Sequence, residues 1–330
     1  MQGTKQIYSL PRICIIGVYF GKLPSYFDLW HRSVKCNSNI DFLLFTDQII
    51  DNVANNLQVI QSDLKGIKTL IESKLGYSVS LEKPYKCCDF RPAFGEIFDD
   101  YLKEYDYWGY CDFDMIFGDL SSYFINYRIW EYDRFLPMGH LGLYRNTIDN
   151  NQIYKTDIKE KNNYKKVFTD YNNYAFDEQG AKRIFKSLGL PFFEDRIFAD
   201  ISKIYKRFRL ALDDINYDNQ VFYWEKGKVM RAYYELGNIY YDEFIYIHFK
   251  ERGALSIYGD CLNSPRFFIT QSGFYASDLS CITIQEIKKY NLFPGATVEK
   301  QELKTYRKQE RYDRIIRRIE TLLKIKKNIR

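Results

Sequence analysis

Apolar residues in the first sixty positions fall into short, dense blocks. Residues 12–20 (Arg-Ile-Cys-Ile-Ile-Gly-Val-Tyr-Phe) form a run that Gly21 breaks, which predicts a buried strand. Pro24 and Ser25 then open a helix to about Lys35, with Tyr26, Phe27, Leu29, Trp30 and Val34 available for its inner face. Asp41–Thr46 reads as a second strand and Leu57–Gln61 as a short third. Strands alternating with helices imply a parallel sheet with right-handed crossovers, in which ligands collect at the carboxyl ends of the strands. Tyr19, Asp47 and the pair Asp112 and Asp114 would share that edge.

Further along, helical spacing covers about Ile67–Leu75 and Pro84–Lys103, ahead of a strand running from Tyr105 into Asp112–Asp114. A short helix follows Leu120. Arg134–Asn146 then reads as a strand in which Gly139, His140 and Gly142 alternate with apolar residues, suiting close backbone approach to a ligand. Residues 149–174, rich in Asn, Lys, Tyr and Asp, read as an exposed, mobile insertion, and Phe176–Gly180 opens a further helix. Residues 221–235 read as a hairpin turning at Lys226-Gly227, and 243–252 as a strand delivering His248, Lys250 and Arg252 on one face. In 299–330, Tyr312, Ile315, Ile316, Ile319, Leu322 and Leu323 recur at helical spacing among Lys and Arg. The expected organisation is a catalytic domain over 1–255, an extension over 256–298 packed on it, and a basic amphipathic helix over 299–330.

Charge changes the picture only locally. The net charge is +5, but residues 299–330 carry 12 Lys or Arg against 5 Asp or Glu, so the rest of the chain is slightly acidic and is not built to bind nucleic acid. A basic amphipathic helix can lie on an anionic membrane; docking on the body, or on a second copy in a homodimer, is the rival. No apolar run is long enough to span a bilayer, no secretory signal opens the chain, and the seven cysteines lack zinc-like spacing. These features fit a cytoplasmic protein, peripheral on the inner face of the membrane if the tail binds lipid. The 18% aromatic content is high and common among carbohydrate-handling proteins.

The candidate chemistry centres on Asp112 and Asp114. In a regular strand they would lie on one face about 7 Å apart, and two desolvated carboxylates need a counter-charge. Mg²⁺ or Mn²⁺ supplies it if the chain bends enough for both to approach the ion. Otherwise the two simply cap the next turn. Lys86, Asp89 and Arg91 form either a salt-bridged helix face or a grip on a sugar hydroxyl and a phosphate. Asp177 and Glu178 are either helix-start acids or a general base. His140 is an acceptor contact or a core residue. His248, Lys250 and Arg252 suit a metal-bound diphosphate, or an exposed basic strand edge.

Taken together, Lys83-Pro-Tyr-Lys-Cys-Cys-Asp-Phe-Arg-Pro-Ala-Phe-Gly-Glu-Ile-Phe98, Trp108-Gly-Tyr-Cys-Asp-Phe-Asp114 and Tyr246-Ile-His-Phe-Lys250 resemble the nucleotide-sugar-dependent glycosyltransferases of the GT-A fold, over roughly residues 10–255. The likeness is to bacterial enzymes of capsule, lipopolysaccharide and cell-wall polysaccharide synthesis. It implies an α/β, Rossmann-like and mostly parallel central sheet with flanking helices, here with the amphipathic C-terminal tail added. It also implies transfer of a sugar from a nucleoside-diphosphate donor, UDP favoured, to a hydroxyl of a glycan or lipid-linked acceptor, with Mn²⁺ or Mg²⁺. Asp114 would be the direct ligand, Asp112 nearer the ribose or a metal-bound water, and His248 the late histidine of glycogenin-like relatives. Tyr19 and Asp47 would hold base and ribose, Asp89 and Arg91 would reach donor sugar and phosphates, and Lys250 would meet the diphosphate. No matching motif marks the acceptor site. Two rivals stay open: a metal-dependent nucleotidyltransferase, although Phe20-Gly21-Lys22 is too little of a phosphate loop, and a non-catalytic sugar- or membrane-binding scaffold.

Overall fold

A computed structural model describes residues 9–159, 162–211, 215–250 and 254–327. The chain divides into two compact units, one of residues 1–199, 226–229 and 244–248, the other of 200–225, 230–243 and 249–330. The boundary between the two units falls inside the catalytic domain expected over 1–255. The reason lies in strand pairing: the hairpin near residue 225 shares a sheet with strands from the expected extension.

The first unit is α/β. Its seven-stranded sheet contains β1 (Ile13–Tyr19), β2 (Asp41–Thr46), β3 (Leu57–Gln61), β4 (Tyr107–Cys111), β6 (Arg134–Phe135), β7 (Leu141–Arg145) and β8 (Phe192–Phe193), in the order β3-β2-β1-β4-β7-β6-β8. β5 (Met115–Phe117) lies outside it. The β3-β2-β1-β4 half is parallel throughout, and β7 runs antiparallel to both β4 and β6. Tyr19 is paired with Thr46 and Ile16 with Tyr110, so Tyr19, Asp47 and Asp112 all follow the carboxyl ends of adjacent parallel strands, as expected. The helices Phe27–Cys36 and Leu64–Leu75 lie between the strands in sequence. The first buries Phe27, Leu29, Trp30 and Val34 in the core. The second is capped by Asp63, whose carboxylate accepts the Gly66 N–H, and closes on left-handed Gly76.

Two expectations change. The helix anticipated over 84–103 is a chain of short turns, Pro84–Lys86, Cys87–Phe90, Arg91–Ala93, Phe94–Ile97 and Asp99–Leu102; Pro92 removes a backbone donor in its middle. The described residues of 149–174 are partly buried and not wholly exposed. They contain a helix over Tyr164–Thr169, and Tyr154, Val167 and Phe168 are buried in the core with Phe90 and Phe94. Polar composition concealed a few well-spaced apolar anchors.

The second unit is built on a six-stranded sheet. In chain order, after β9 (Ala199–Asp200), come β10 (Gln220–Glu225), β11 (Lys228–Glu235), β12 (Asn238–Phe244), β13 (Tyr246–His248), β14 (Ser256–Tyr258), β15 (Arg266–Thr270) and β16 (Gly273–Ser277). The sheet order is β12-β11-β10-β15-β16-β14, whereas β13 belongs to the first unit and pairs antiparallel with β5. The expected turn at Lys226-Gly227 is present, both residues in the left-handed region at φ 47° and 87°. The helix Ile284–Asn291 begins with a Thr283–Glu286 capping box and packs Ile287 against Val221, Tyr223 and Phe268. The last helix, Ala296–Lys327, is anchored at its first turn: Glu299 is buried and pairs with Arg207 at 2.5 Å and Arg209 at 2.5 Å. No helix among the described residues is long and apolar enough to cross a membrane.

Candidate active site

β4 ends at Cys111 and β5 begins at Met115, so Asp112-Phe113-Asp114 is a turn. That bend is what a regular strand would deny: it draws both carboxylates toward one point. Phe113 anchors it from below, packing edge-on to Tyr19 at 4.9 Å and against Trp30 at 4.9 Å. Gly17 makes the room, since a Cβ there would lie 2.5 Å from the Phe113 ring. The Asp112 N–H donates to the His140 carbonyl at 2.9 Å, holding the other end of the turn to the start of β7.

β13 brings in the histidine. Its register places His248 opposite Met115, immediately after Asp114. His248 Nε2 is 3.4 Å from Asp114 Oδ1 and 3.9 Å from Asp112 Oδ2. One ligand atom from each of the three residues lies within 4.8 Å of the others. Octahedral ligands at about 2.1 Å from an ion stand about 3 Å apart when adjacent and about 4 Å when opposite. The three donors therefore fit one divalent cation with little adjustment, and a mixed carboxylate–imidazole set suits Mn²⁺ better than Mg²⁺. Both carboxylates are partly exposed. The Asp114 charge is also felt nearby: burial first, and then Asp114, raise the Tyr19 phenol.

A second, drier layer backs this group. Arg91 is buried and donates to Asp112, to the Gly139 carbonyl at 2.7 Å and to Asp177 at 3.1 Å. Burial disfavours its charge, and the Asp112 carboxylate, ahead of Asp177, more than restores it. Asp177 is itself buried, and desolvation outweighs the pull of Arg91, pushing its carboxyl up to about 6. Glu178, half-buried, accepts the Gly139 N–H at 3.1 Å. A Cβ on Gly139 would lie 2.8 Å from Asp177 Oδ2 and 2.8 Å from Glu178 Cγ, so the close approach anticipated for this glycine is to the protein's own acids. Gly142 likewise faces the Tyr110 hydroxyl, 2.6 Å from where its Cβ would be.

The structure places the other expected positions as follows. Lys86 and Asp89 are 2% and 1% exposed. They bind each other at 2.9 Å while Lys86 donates to the Val167 carbonyl at 2.8 Å and Asp89 accepts the Tyr174 and Phe176 N–H groups at 3.0 Å. Their work is to fix the segment that leads into Asp177. His140 is 3% exposed, bonded to the Tyr246 hydroxyl at 2.8 Å and stacked on the His248 ring at 4.2 Å. It backs the His248 ring from within the core. The strand carrying His248 stops there. Lys250, at φ 51°, leaves the expected face and pairs with buried Asp200 at 2.6 Å within the second unit. Arg252 lies outside the described residues. Asp47 is exposed and holds the Gly21 N–H at 2.9 Å, and Tyr19 donates to the Lys22 carbonyl at 3.0 Å. Tyr246 was not anticipated from the sequence as part of the site. It stood at the head of the Tyr246-Ile-His-Phe-Lys250 stretch, two residues ahead of His248 on the same face of a strand, and that place was its signal.

Comparison with known proteins adds a family and little chemistry. No curated protein matches. Among solved structures, a galactosyltransferase LgtC in complex with donor and acceptor sugar analogues is similar at 12% identity and TM-score 0.34, over 57% of this chain and 75% of that one. A structure of an active-site mutant of LgtC is similar at 12% identity and TM-score 0.35, over 57% of this chain and 74% of that one. Residues 15–278, most of the chain, match the family described as a family of unknown function, DUF6625, and the chain belongs to that family.

Proposed function

We propose that the protein is a metal-dependent glycosyltransferase of the GT-A type, moving a sugar from a nucleoside-diphosphate donor to a hydroxyl of a cell-surface glycan or lipid-linked oligosaccharide. The observation that carries this reading is the convergence of Asp112, Asp114 and His248 at the carboxyl edge of a parallel sheet. Asp114 and His248 would hold Mn²⁺ directly, with Asp112, already engaged by Arg91, toward the ribose or a metal-bound water. When bound, such an ion would supply positive charge for a departing diphosphate. UDP is the favoured donor nucleotide, with Tyr19 and Asp47 on its base and ribose side.

The chain's own groups divide the remaining work. Arg91 fixes Asp112 and Asp177 relative to each other, so the donor side and the acid pair move as one piece. Glu178, oriented by the Gly139 N–H and more open than Asp177, is the carboxylate assigned to the acceptor hydroxyl. Asp177 sets the charge behind it. Whether the product keeps or inverts the anomeric configuration follows from the face on which that hydroxyl enters. The basic helix beyond Glu299 is assigned to an anionic membrane surface, which would hold a cytoplasmic enzyme beside a lipid-linked acceptor.

The test is Asp114→Asn in the full-length protein. Calorimetry should show UDP binding that requires Mn²⁺ and is weakened at least about tenfold by the substitution, with Mn²⁺-dependent hydrolysis of a UDP-sugar lost in parallel. UDP affinity indifferent to both chelator and substitution would reject the site.

A further inference from the structure

A second buried guanidinium lies behind the acid pair. Arg134 of β6 is 0% exposed, and the sheet register places it between Tyr144 of β7 and Phe192 of β8. Its guanidinium carbon is 4.7 Å from the Phe192 ring centroid and 5.5 Å from that of Tyr144. Phe185, from the helix Ala181–Leu188, covers it at 5.8 Å. Tyr144 in turn stacks on Trp108 of β4 at 4.6 Å, the planes 4° apart. Trp108, Tyr144, Arg134 and Phe192 thus form one row across four neighbouring strands. Among the described residues no carboxylate forms an ion pair with Arg134; its Nη2 donates to the main-chain carbonyl of Asp177 at 2.9 Å.

Packing alone does not account for a cation in this row. Burying a guanidinium away from carboxylates costs more than ring contacts return, and an apolar side chain of similar volume would fill the slot without that cost. What an apolar side chain cannot do is donate to the Asp177 carbonyl. That carbonyl lies in a turn that needs holding. Over Phe176–Gly180 the backbone is wound as a π turn, the Ala181 N–H reaching back five residues to the Phe176 carbonyl. Such turns are rare and recur at functional sites. Ala175 enters this one in the left-handed region at φ 48°, a conformation that costs a residue with a Cβ. On the entry side Asp89 accepts the Phe176 N–H at 3.0 Å, and Arg91 binds the Asp177 carboxylate at 3.1 Å. Arg134 takes the main chain of the same residue, so Asp177 is gripped at both ends. Glu178 therefore starts from a fixed point when it accepts the Gly139 N–H at 3.1 Å.

We propose that Arg134 is the positioning residue of this acid turn: through the Asp177 carbonyl it keeps the π turn wound, and so keeps Glu178 where an acceptor hydroxyl would meet it. Its bearing on the reaction rests on the assignment of Glu178 above; its hold on the turn does not. Arg134 is sealed from solvent and acts only through the turn. The experiment compares Arg134→Met and Arg134→Lys in the full-length protein. Met fills the slot without a donor, whereas Lys keeps a donor and a charge but packs less well among the rings. A packing role ranks Met above Lys in every measurement; a positioning role ranks Lys above Met in the turn and in catalysis. Arg134→Met should melt no lower than the parent and keep the Mn²⁺-dependent affinity for UDP. Amide exchange across 176–181, followed by mass spectrometry in EDTA, should become about tenfold faster. For Mn²⁺-dependent hydrolysis of a UDP-sugar, kcat should fall about a hundredfold at unchanged KM, and Arg134→Lys should recover part of both losses. If Arg134→Met fails to fold, Phe192→Leu removes a half-buried ring from the guanidinium face and should speed the same exchange. Unchanged exchange in the turn overturns the proposal. Faster exchange with kcat intact overturns its link to the reaction. A parent protein that neither binds UDP nor hydrolyses its sugars refutes the transferase reading instead, and the exchange comparison, which needs no substrate, still decides the role of Arg134 in the turn.

Discussion

Asp177 shows how burial sets the chemistry of a single side chain. Its carboxyl, ordinarily near 3.8, is pushed up to about 6 by desolvation against the opposing pull of Arg91. The native state therefore holds this proton more tightly than the unfolded chain does. Stability from this group is fully present below the unfolded value and is lost as pH rises through about 6. A shift of this size corresponds to roughly 3 kcal/mol. Urea unfolding followed from acid to neutral pH should show the decline, and Asp177→Asn should flatten it over that window. A slope that survives the substitution would assign the proton to another group. Asp177 and Glu178 were visible in the sequence as acids at a helix start. Their link to Asp112 was not, because Arg91 and Gly139 join them across separations of 21 to 86 residues.

Among elements, the pairing of β5 with β13 decides that His248 lies beside Asp114. Gly118, just past β5, donates its N–H to the Ile245 carbonyl at 2.8 Å. A Cβ at Gly118 would meet the Phe244 carbonyl at 2.6 Å and that of Ile245 at 3.1 Å, both backbone atoms with nowhere to go. Gly118→Ala should therefore destabilise the protein by about 1–3 kcal/mol, read in thermal or urea unfolding. It should also weaken Mn²⁺ binding, read by calorimetry, because His248 is carried on the displaced strand. Loss of stability with metal affinity intact would mean that the two strands separate without moving the histidine. The strands themselves were legible from their apolar runs. What escaped was where β13 ends: Lys250 takes a left-handed backbone, so a face drawn by alternation through 252 stops at His248.

At the scale of the whole molecule, the C-terminal helix is part of the second unit and not a detachable tail. Glu299 neutralises Arg207, which is 2% exposed and also donates to Asn291 and the Tyr217 carbonyl. Glu299→Ala leaves that guanidinium buried without its carboxylate and should cost about 3–5 kcal/mol. A chain ended after Lys304 keeps the clamp and should melt like the full-length protein. Beyond it, Tyr312, Ile315 and Ile319 are exposed along one side of the helix among basic residues. The shortened chain should accordingly lose sedimentation with phosphatidylglycerol vesicles and be unaffected toward phosphatidylcholine. Equal sedimentation of both chains would remove the membrane from the proposed function.

The amino-acid order alone determined the alternation of strands and helices, the parallel half-sheet, the acidic turn and the amphipathic end of the chain, because each rests on local periodicity or on one residue's backbone preference. Only the tertiary structure decided which polar residues meet. Lys86, Asp89 and His140 look like ligand contacts when read in line, yet each is spent inside the protein, since burial obliges a polar group to take whatever partner the fold brings to it. The same folding set His248 beside Asp114 and divided the chain near residue 200. Those are outcomes of long-range pairing, which leaves no mark in a window of neighbouring residues.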